Sequence, residues 1–230
     1  MHKSWVDGPK ELLYHAAEHF SKASDFDNRI AFISIDNAVE LAIVTFLSLP
    51  RRILKRAGPT RKELVDVGNS FPAYLDLLEK YASDLLSEID LEDIEWYHRI
   101  RNQLYHNGNC ITVEKAKVEA YYEIGKVLFT TLFEEDFTSP ANIRYETELG
   151  IFIARWKHFD EVFRAKLPPK NDFAYHWKRD YLASIDECLV PIYNEVSQFR
   201  NDVVHLNDSV EPEKFKEMVE KIAFIERRIK

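Results

Sequence analysis

The sequence contains few of the residues on which secreted and disulfide-rich proteins depend. Only 6 of its 230 residues are glycine, and only two, Cys110 and Cys188, are cysteine. Two cysteines so far apart form neither a disulfide framework nor the paired spacing of a zinc or redox site. We therefore expect both thiols to be free in a reducing compartment, which predicts a cytoplasmic protein.

Long hydrophobic runs and alternating strand patterns are also missing. The most apolar run, residues 38–50, carries Glu40 and is shorter than the roughly 20 residues that cross a bilayer. The N-terminus has no apolar signal region behind its first lysine. No run alternates apolar and polar residues between turn signals, so no sheet is expected. These absences favour an all-α protein without a membrane partner.

The charge of the chain is acidic overall and basic in one segment. A formal net charge of −8 argues against a general nucleic-acid coat protein, because phosphate binding needs a concentrated positive surface. No acidic residue interrupts the cations between residues 51 and 62. Two interpretations stay open: a weak RNA-binding surface, or a solvated helix end whose cations suit the helix dipole. The members of this basic segment are Arg51, Arg52, Lys55, Arg56, Arg61 and Lys62.

Helical periodicity and turn signals divide the chain into two groups of helices. The first group comprises five predicted helices, at about 9–23, 29–56, 70–89, 91–106 and 113–135. Small and turn-forming residues at 136–142 are typical of a linker. The second group comprises predicted helices at about 144–167, 174–205 and 211–229, the long one bent near Pro191.

The two groups share an internal repeat, in which His106 aligns with His205 at an offset of 99 residues (205 − 106). Residues 100–106 read Ile-Arg-Asn-Gln-Leu-Tyr-His, and residues 199–205 read Phe-Arg-Asn-Asp-Val-Val-His. By average residue usage, two independent Arg-Asn-x-x-x-His segments in one chain have a chance of about one in ten thousand. We therefore interpret each copy as a helix that ends in the motif, followed by a polar turn and a second helix.

The paired motifs resemble those of the HEPN superfamily, in which an arginine and a polar residue precede a histidine at a helix end. The resemblance is specific at the motifs and implies tandem HEPN-like helical bundles that form a pseudo-dimer. The implied domains are residues 1–136, with an insertion at about 57–90, and residues 143–230. Many HEPN members are metal-independent endoribonucleases in RNA processing, toxin–antitoxin or defence systems. The resemblance thus implies an RNA substrate, no cofactor or metal, and an antitoxin or nucleotidyltransferase-like protein as partner.

The motif residues suit RNA cleavage at neutral pH. Asparagine and histidine are four residues apart in each copy, so they share one face of a helix. One histidine would take the 2′-OH proton and the other would protonate the leaving 5′ oxygen, while arginine contacts the phosphate. Asparagine would orient the histidine or the phosphate. The expected catalytic residues are Arg101, Asn102, His106, Arg200, Asn201 and His205.

Other interpretations of the same residues stay open. The motifs could cap their helices, and the fold could serve as a non-catalytic module that binds a nucleotide or a protein, or as a structural oligomerisation protein. His98 precedes Asn102 by four residues and is either a further RNA-binding residue or a surface histidine. The two motifs would face each other either within one chain or across a homodimer.

Overall fold

The computed structural model describes residues 3–22, 24–86, 89–106, 112–138, 147–164, 177–205 and 210–229. Within these ranges the chain has 11 α-helices and no strand, which confirms the predicted all-α fold. It divides into two compact units, unit 1 (Met1–Arg144) and unit 2 (Tyr145–Lys230). The predicted HEPN-like character of the units, and their pairing as a pseudo-dimer, stay predictions. The described residues do not include Cys110, residues 139–142 of the predicted linker or the polar turns after both motifs.

Unit 1 is a helical bundle built around one apolar helix. Its described α-helices are α1 (Asp7–Phe20), α2 (Asp25–Ser48), α3 (Arg51–Leu54), α4 (Arg61–Val67), α5 (Phe71–Ala82), α6 (Leu91–His106) and α7 (Lys115–Phe133). Helix α2 packs against α1, α5, α6 and α7. Its N-terminus is capped by Ser24, whose hydroxyl accepts a hydrogen bond from the Asp27 amide at 3.1 Å.

The composition of α2 follows from its central position. By length and composition α2 could cross a membrane, with a mean hydropathy of 1.8 over its most apolar stretch, but 61 % of that stretch is buried inside the protein. Phe32, Ile35 and Ile43 are completely enclosed. A helix that is apolar on most sides is expected where other helices surround it. The helix contacts therefore explain its hydropathy.

The prediction of one helix over 29–56 is wrong, because the chain breaks at Pro50. Helix α2 ends at Ser48, Leu49 is extended with ψ 137°, and α3 is a separate single turn. Proline disfavours the helical conformation in the residue before it, which places the break at Leu49. The turn of α3 then ends at Lys55, whose φ of 54° is left-handed.

Residues 57–90, which the sequence analysis treats as an insertion, contribute to the core of unit 1. The unpredicted helix α4 begins with a capping box, in which the Thr60 hydroxyl and the Glu63 carboxylate satisfy each other's backbone amides. Helix α5 packs against α2 and α6 and buries Phe71, Leu75 and Leu78. It ends at Ala82, earlier than predicted, and a 3-10 turn follows at Ser83–Leu85.

Unit 2 is a smaller bundle with an aromatic core. Its described α-helices are α8 (Glu148–Arg164), α9 (Trp177–Ile185), α10 (Leu189–His205) and α11 (Pro212–Ile229). Helix α11 packs against α8, α9 and α10. The Phe152 ring lies edge-to-face against Phe199 and Phe215, which joins α8, α10 and α11.

The predicted long helix over 174–205 is divided into α9 and α10, and the division precedes Pro191 rather than coinciding with it. The Asp186 carboxylate accepts a hydrogen bond from the Cys188 amide at 2.9 Å and so forms the turn between the helices. Pro191 lies in the first turn of α10, where backbone N–H groups have no partner within the helix. The N–H that proline lacks therefore costs the helix no hydrogen bond. The predicted bend is therefore wrong in its cause and position.

Candidate functional site

The two Arg-Asn-x-x-x-His segments occupy equivalent positions in their units. Helix α6 ends at His106 and helix α10 ends at His205. Each motif therefore occupies the last turns of its helix within the described residues. The side chains of both histidines lie outside the part of the chain that the structure describes.

Arginine and asparagine form the same side-chain contact in both copies. Nη1 of Arg101 donates a hydrogen bond to Oδ1 of Asn102 at 3.0 Å, and Nη1 of Arg200 donates to Oδ1 of Asn201 at 3.1 Å. Consecutive residues on a helix point about 100° apart, so each arginine must fold back to reach its neighbour. The asparagine thus orients the arginine, whereas the motif predicted that it orients the histidine or the phosphate.

The guanidinium group of Arg101 is bound by three polar residues of α2. Nη2 donates hydrogen bonds to Oδ1 of Asn37 at 2.9 Å and to Oε2 of Glu40 at 3.2 Å. Nε lies 2.9 Å from Oδ2 of Asp36, at ion-pair distance. These contacts fix the guanidinium from several sides and hold the motif of α6 against α2.

Asp36 is the buried acid at the centre of this arrangement. Its side chain is fully enclosed, its Oδ1 accepts a hydrogen bond from the Tyr121 hydroxyl at 2.7 Å, and its Oδ2 lies 3.0 Å from Nδ1 of His98. Burial, followed by the charge of Asp36, raises the pKa of Tyr121, so this hydroxyl stays protonated as a donor. With Arg101, the carboxylate has three partners, which offsets the cost of enclosing its charge.

His98 is buried, so its interpretation as a surface histidine is wrong. Besides the contact with Asp36, its ring centroid lies 4.2 Å from that of Phe71 on α5. His98 lies one turn before the motif on α6 and approaches the same oxygen of Asp36 as Arg101 does. Its binding of RNA stays a prediction, and 11 % of its side chain is exposed.

Three of these residues have the composition of a metal site. The ligand atoms of Asp36, Glu40 and His98 all lie within 4.8 Å of one another. The Arg101 guanidinium already contacts both carboxylates, so a metal ion among them would meet a fixed positive charge. The two carboxylates of this cluster are therefore better described as ion-pair partners of Arg101.

The second motif has a different environment. Arg200 is buried, whereas Arg101 is half-buried. The position before the histidine is Tyr105 in unit 1, with 59 % of its surface exposed, and Val204 in unit 2, with 2 % exposed. The two copies thus share their arginine–asparagine contact and differ in the surface around it.

A buried ion pair of unit 2 lies on other helices. Nζ of Lys178 on α9 donates a hydrogen bond to Oδ1 of Asp160 on α8 at 2.7 Å, and both side chains are buried. Burial lowers the pKa of Lys178 to about 7, because an enclosed ammonium loses its hydration. Asp160 and Lys178 belong to different helices, so helical spacing in the sequence does not reveal the pair.

The basic segment does not form one uniform surface. Arg56 is half-buried and pairs with Asp84, so one of the six cations already has an acidic partner. The other five are exposed, namely Arg51, Arg52, Lys55, Arg61 and Lys62. Their binding of RNA stays a prediction.

Comparison with known protein families, curated proteins and solved structures gives no match to this chain. The resemblance to HEPN proteins therefore rests on the two motifs alone.

Proposed function

We propose that this protein is a metal-independent endoribonuclease in which the two Arg-Asn-x-x-x-His copies act together on one RNA phosphate. The observation that supports the proposal is the recurrence of one side-chain arrangement. Both arginines donate to the following asparagine at nearly the same distance, 3.0 and 3.1 Å. Both motifs also lie on helices, α6 and α10, as the internal repeat predicts.

The proposed reaction needs one base, one acid and a cation. One motif histidine accepts the proton of the 2′-OH, and the 2′ oxygen attacks phosphorus. The bond from phosphorus to the 5′ oxygen breaks, and the other histidine gives that oxygen its proton. The products are a 2′,3′-cyclic phosphate and a 5′-OH end. Arginine stabilises the charge that grows on the non-bridging phosphate oxygens.

Arg101 would reach a phosphate by exchanging its more exposed carboxylate partner. Glu40 makes the longest of its polar contacts, 3.2 Å, and 39 % of the Glu40 side chain is exposed, whereas Asp36 is enclosed. A phosphate oxygen could replace the Glu40 carboxylate on Nη2 while Asp36 and Asn102 keep the guanidinium in place. We therefore assign Asp36 and Asn102 as positioning residues and Arg101 as the phosphate contact of unit 1.

The test is cleavage of a mixed RNA pool in the presence of EDTA. We expect the native protein to leave 2′,3′-cyclic phosphate ends, and the His106→Ala/His205→Ala variant to lose roughly 100- to 10,000-fold in rate. The matched control is His15→Ala/His158→Ala, which removes two exposed histidines outside the motifs. Equal cleavage by the native protein and the motif variant, or ends without cyclic phosphate, would refute the proposal.

The second candidate function is a non-catalytic module that binds a protein or a nucleotide, and the acidic surroundings of Arg101 favour the protein partner because they oppose the approach of a phosphate. Asp36 and Glu40 already neutralise the guanidinium, and the net charge of the chain is −8. Such a module would leave RNA intact in the cleavage assay. Nucleotides that co-purify with the native protein and are lost from Arg101→Ala would identify it.

The biological role implied by the resemblance is tested by expression. A ribonuclease toxin or defence effector should slow the growth of its host when it is produced without a partner. His106→Ala or His205→Ala should restore growth, and His15→Ala should not. Co-production with an antitoxin or nucleotidyltransferase-like protein should also restore growth if such a partner exists. Equal growth with all variants would contradict the toxin role.

A further inference from the structure

Tyr105 is an aromatic residue that the fold leaves in solvent beside the first motif. It follows the buried Leu104 in the last turn of α6 and precedes His106. Of the aromatic side chains in the described part of the chain, Phe26 is the other that is similarly exposed, at 58 % against 59 % for Tyr105. Single exposed apolar residues are common, so the position next to the motif is what distinguishes Tyr105.

The ring of Tyr105 is held by the motif arginine. Cζ of Arg101 lies 5.3 Å from the centroid of the Tyr105 ring, at cation–π distance. The guanidinium is itself fixed by Asp36 and Asn102. The exposed ring therefore has a preferred orientation before any ligand binds, which lowers the entropy that binding would cost.

The second motif offers no equivalent ring. Val204 takes the place of Tyr105 at the repeat offset and is almost completely buried. Unit 2 also has an acidic residue, Asp202, where unit 1 has Gln103, and both are exposed. An aromatic ring suits a nucleic-acid base, and a neutral neighbour suits its phosphate better than a carboxylate does. The first motif is therefore better suited than the second to bind RNA.

We propose that Tyr105 forms a stacking site for an unpaired RNA base, which makes single-stranded RNA the substrate class. This inference rests on the ribonuclease function proposed above. A base that stacks on Tyr105 would place the adjoining phosphate near Arg101 at the end of α6. Stacking on aromatic side chains needs a base that is free of its helix, which is the usual mode of RNA recognition outside duplexes.

The test is binding of a short, fluorescent, single-stranded 2′-O-methyl RNA, which lacks the 2′-OH that cleavage requires. We expect Tyr105→Leu to weaken binding roughly 5- to 100-fold and Tyr105→Trp to restore it, because tryptophan keeps a stacking surface. Phe26→Leu is the matched control, since Phe26 is equally exposed and its ring also lies near an arginine, Arg29, at 5.8 Å. The same oligonucleotide in a blunt duplex should bind the native protein and Tyr105→Leu equally.

The outcomes separate this inference from the proposed reaction. Binding that depends on Tyr105 without cleavage of ordinary RNA would support the stacking site and refute the nuclease. Cleavage of ordinary RNA with no effect of Tyr105→Leu on oligonucleotide binding or on KM would support the nuclease and refute the stacking site. The stacking site is also refuted if Phe26→Leu weakens binding as much as Tyr105→Leu, or if the native protein does not bind the oligonucleotide.

Discussion

Unit 1 and unit 2 share the motif and its arginine–asparagine contact, but they differ in how much of the motif is exposed. In unit 1 the motif arginine Arg101 contacts the enclosed Asp36, and the Tyr105 ring before the histidine is 59 % exposed. In unit 2 the motif arginine Arg200 is itself buried, and Val204 takes the place of Tyr105 with 2 % exposed. The comparison shows that the arginine–asparagine contact forms in both exposed and buried surroundings. Unit 1 presents the more exposed copy of the motif.

The largest expected effect is the loss of Asp36. Asp36→Ala would leave the Arg101 guanidinium half-buried without its enclosed partner, and we expect unit 1 to lose about 3–5 kcal/mol of stability. Hydrogen exchange of peptides from both units would measure it, with faster exchange confined to unit 1. Glu40→Ala removes the exposed acid instead and should cost about 1 kcal/mol or less. Equal losses from the two variants would contradict the central role of Asp36.

A reciprocal exchange of the residues before the histidines tests the difference in exposure. Val204→Tyr would force a ring into a packed interior, and we expect a loss of about 1–3 kcal/mol in the free energy of unfolding. Tyr105→Val removes an exposed ring and should change stability by about 0.5 kcal/mol or less. Urea denaturation of both variants would measure these values. A reversed order would show that the two positions are not packed as described.

The buried lysine of unit 2 should make its stability depend on pH. The pKa of Lys178 is about 7 in the folded protein and 10.5 in an unperturbed lysine, so between these values the unfolded chain binds more protons. Stability should therefore rise with pH, by about 1 kcal/mol from pH 7 to pH 8. Urea unfolding across this range would measure the rise, and Lys178→Met should remove it. The same rise in Lys178→Met would assign it to another group.

The smallest expected effect concerns the acid that competes with phosphate. Glu40→Gln removes a negative charge beside Arg101, and we expect RNA affinity to increase up to about fivefold at low salt. Fluorescence anisotropy with the 2′-O-methyl oligonucleotide would measure the increase. Glu79→Gln, an exposed glutamate on α5, is the control for net charge. An equal increase in both variants would mean that Glu40 has no special position.

Periodicity and turn residues predicted much of the fold, and local chemistry explains the errors. The helices at α1, α6, α7 and α11 begin and end within about three residues of the predicted positions, because apolar spacing and capping residues agree there. The break at Pro50 was missed because the apolar pattern continues through it. Helix α4 was missed because it is short and no residue of it is buried.

The candidate site was predicted as a motif but not as an arrangement in space. The sequence identified Arg101 and Asn102, yet the partners of Arg101 on α2 are more than 60 residues away. One signal could have found them. Asp36 is a charged residue in the most apolar helix, and a buried charge requires a partner that the sequence must supply elsewhere. The motif arginines were the cations to consider.

The central claim, that the two motif copies perform one reaction, is tested most directly by a double-variant cycle on RNA cleavage. Cleavage rates would be measured for the native protein, His106→Ala, His205→Ala and the combined variant. Loss of either the acid or the base blocks the same step. We therefore expect each single variant to lose nearly as much cleavage rate as the combined one. Losses that multiply in the combined variant would mean that the two motifs act independently and would contradict the account.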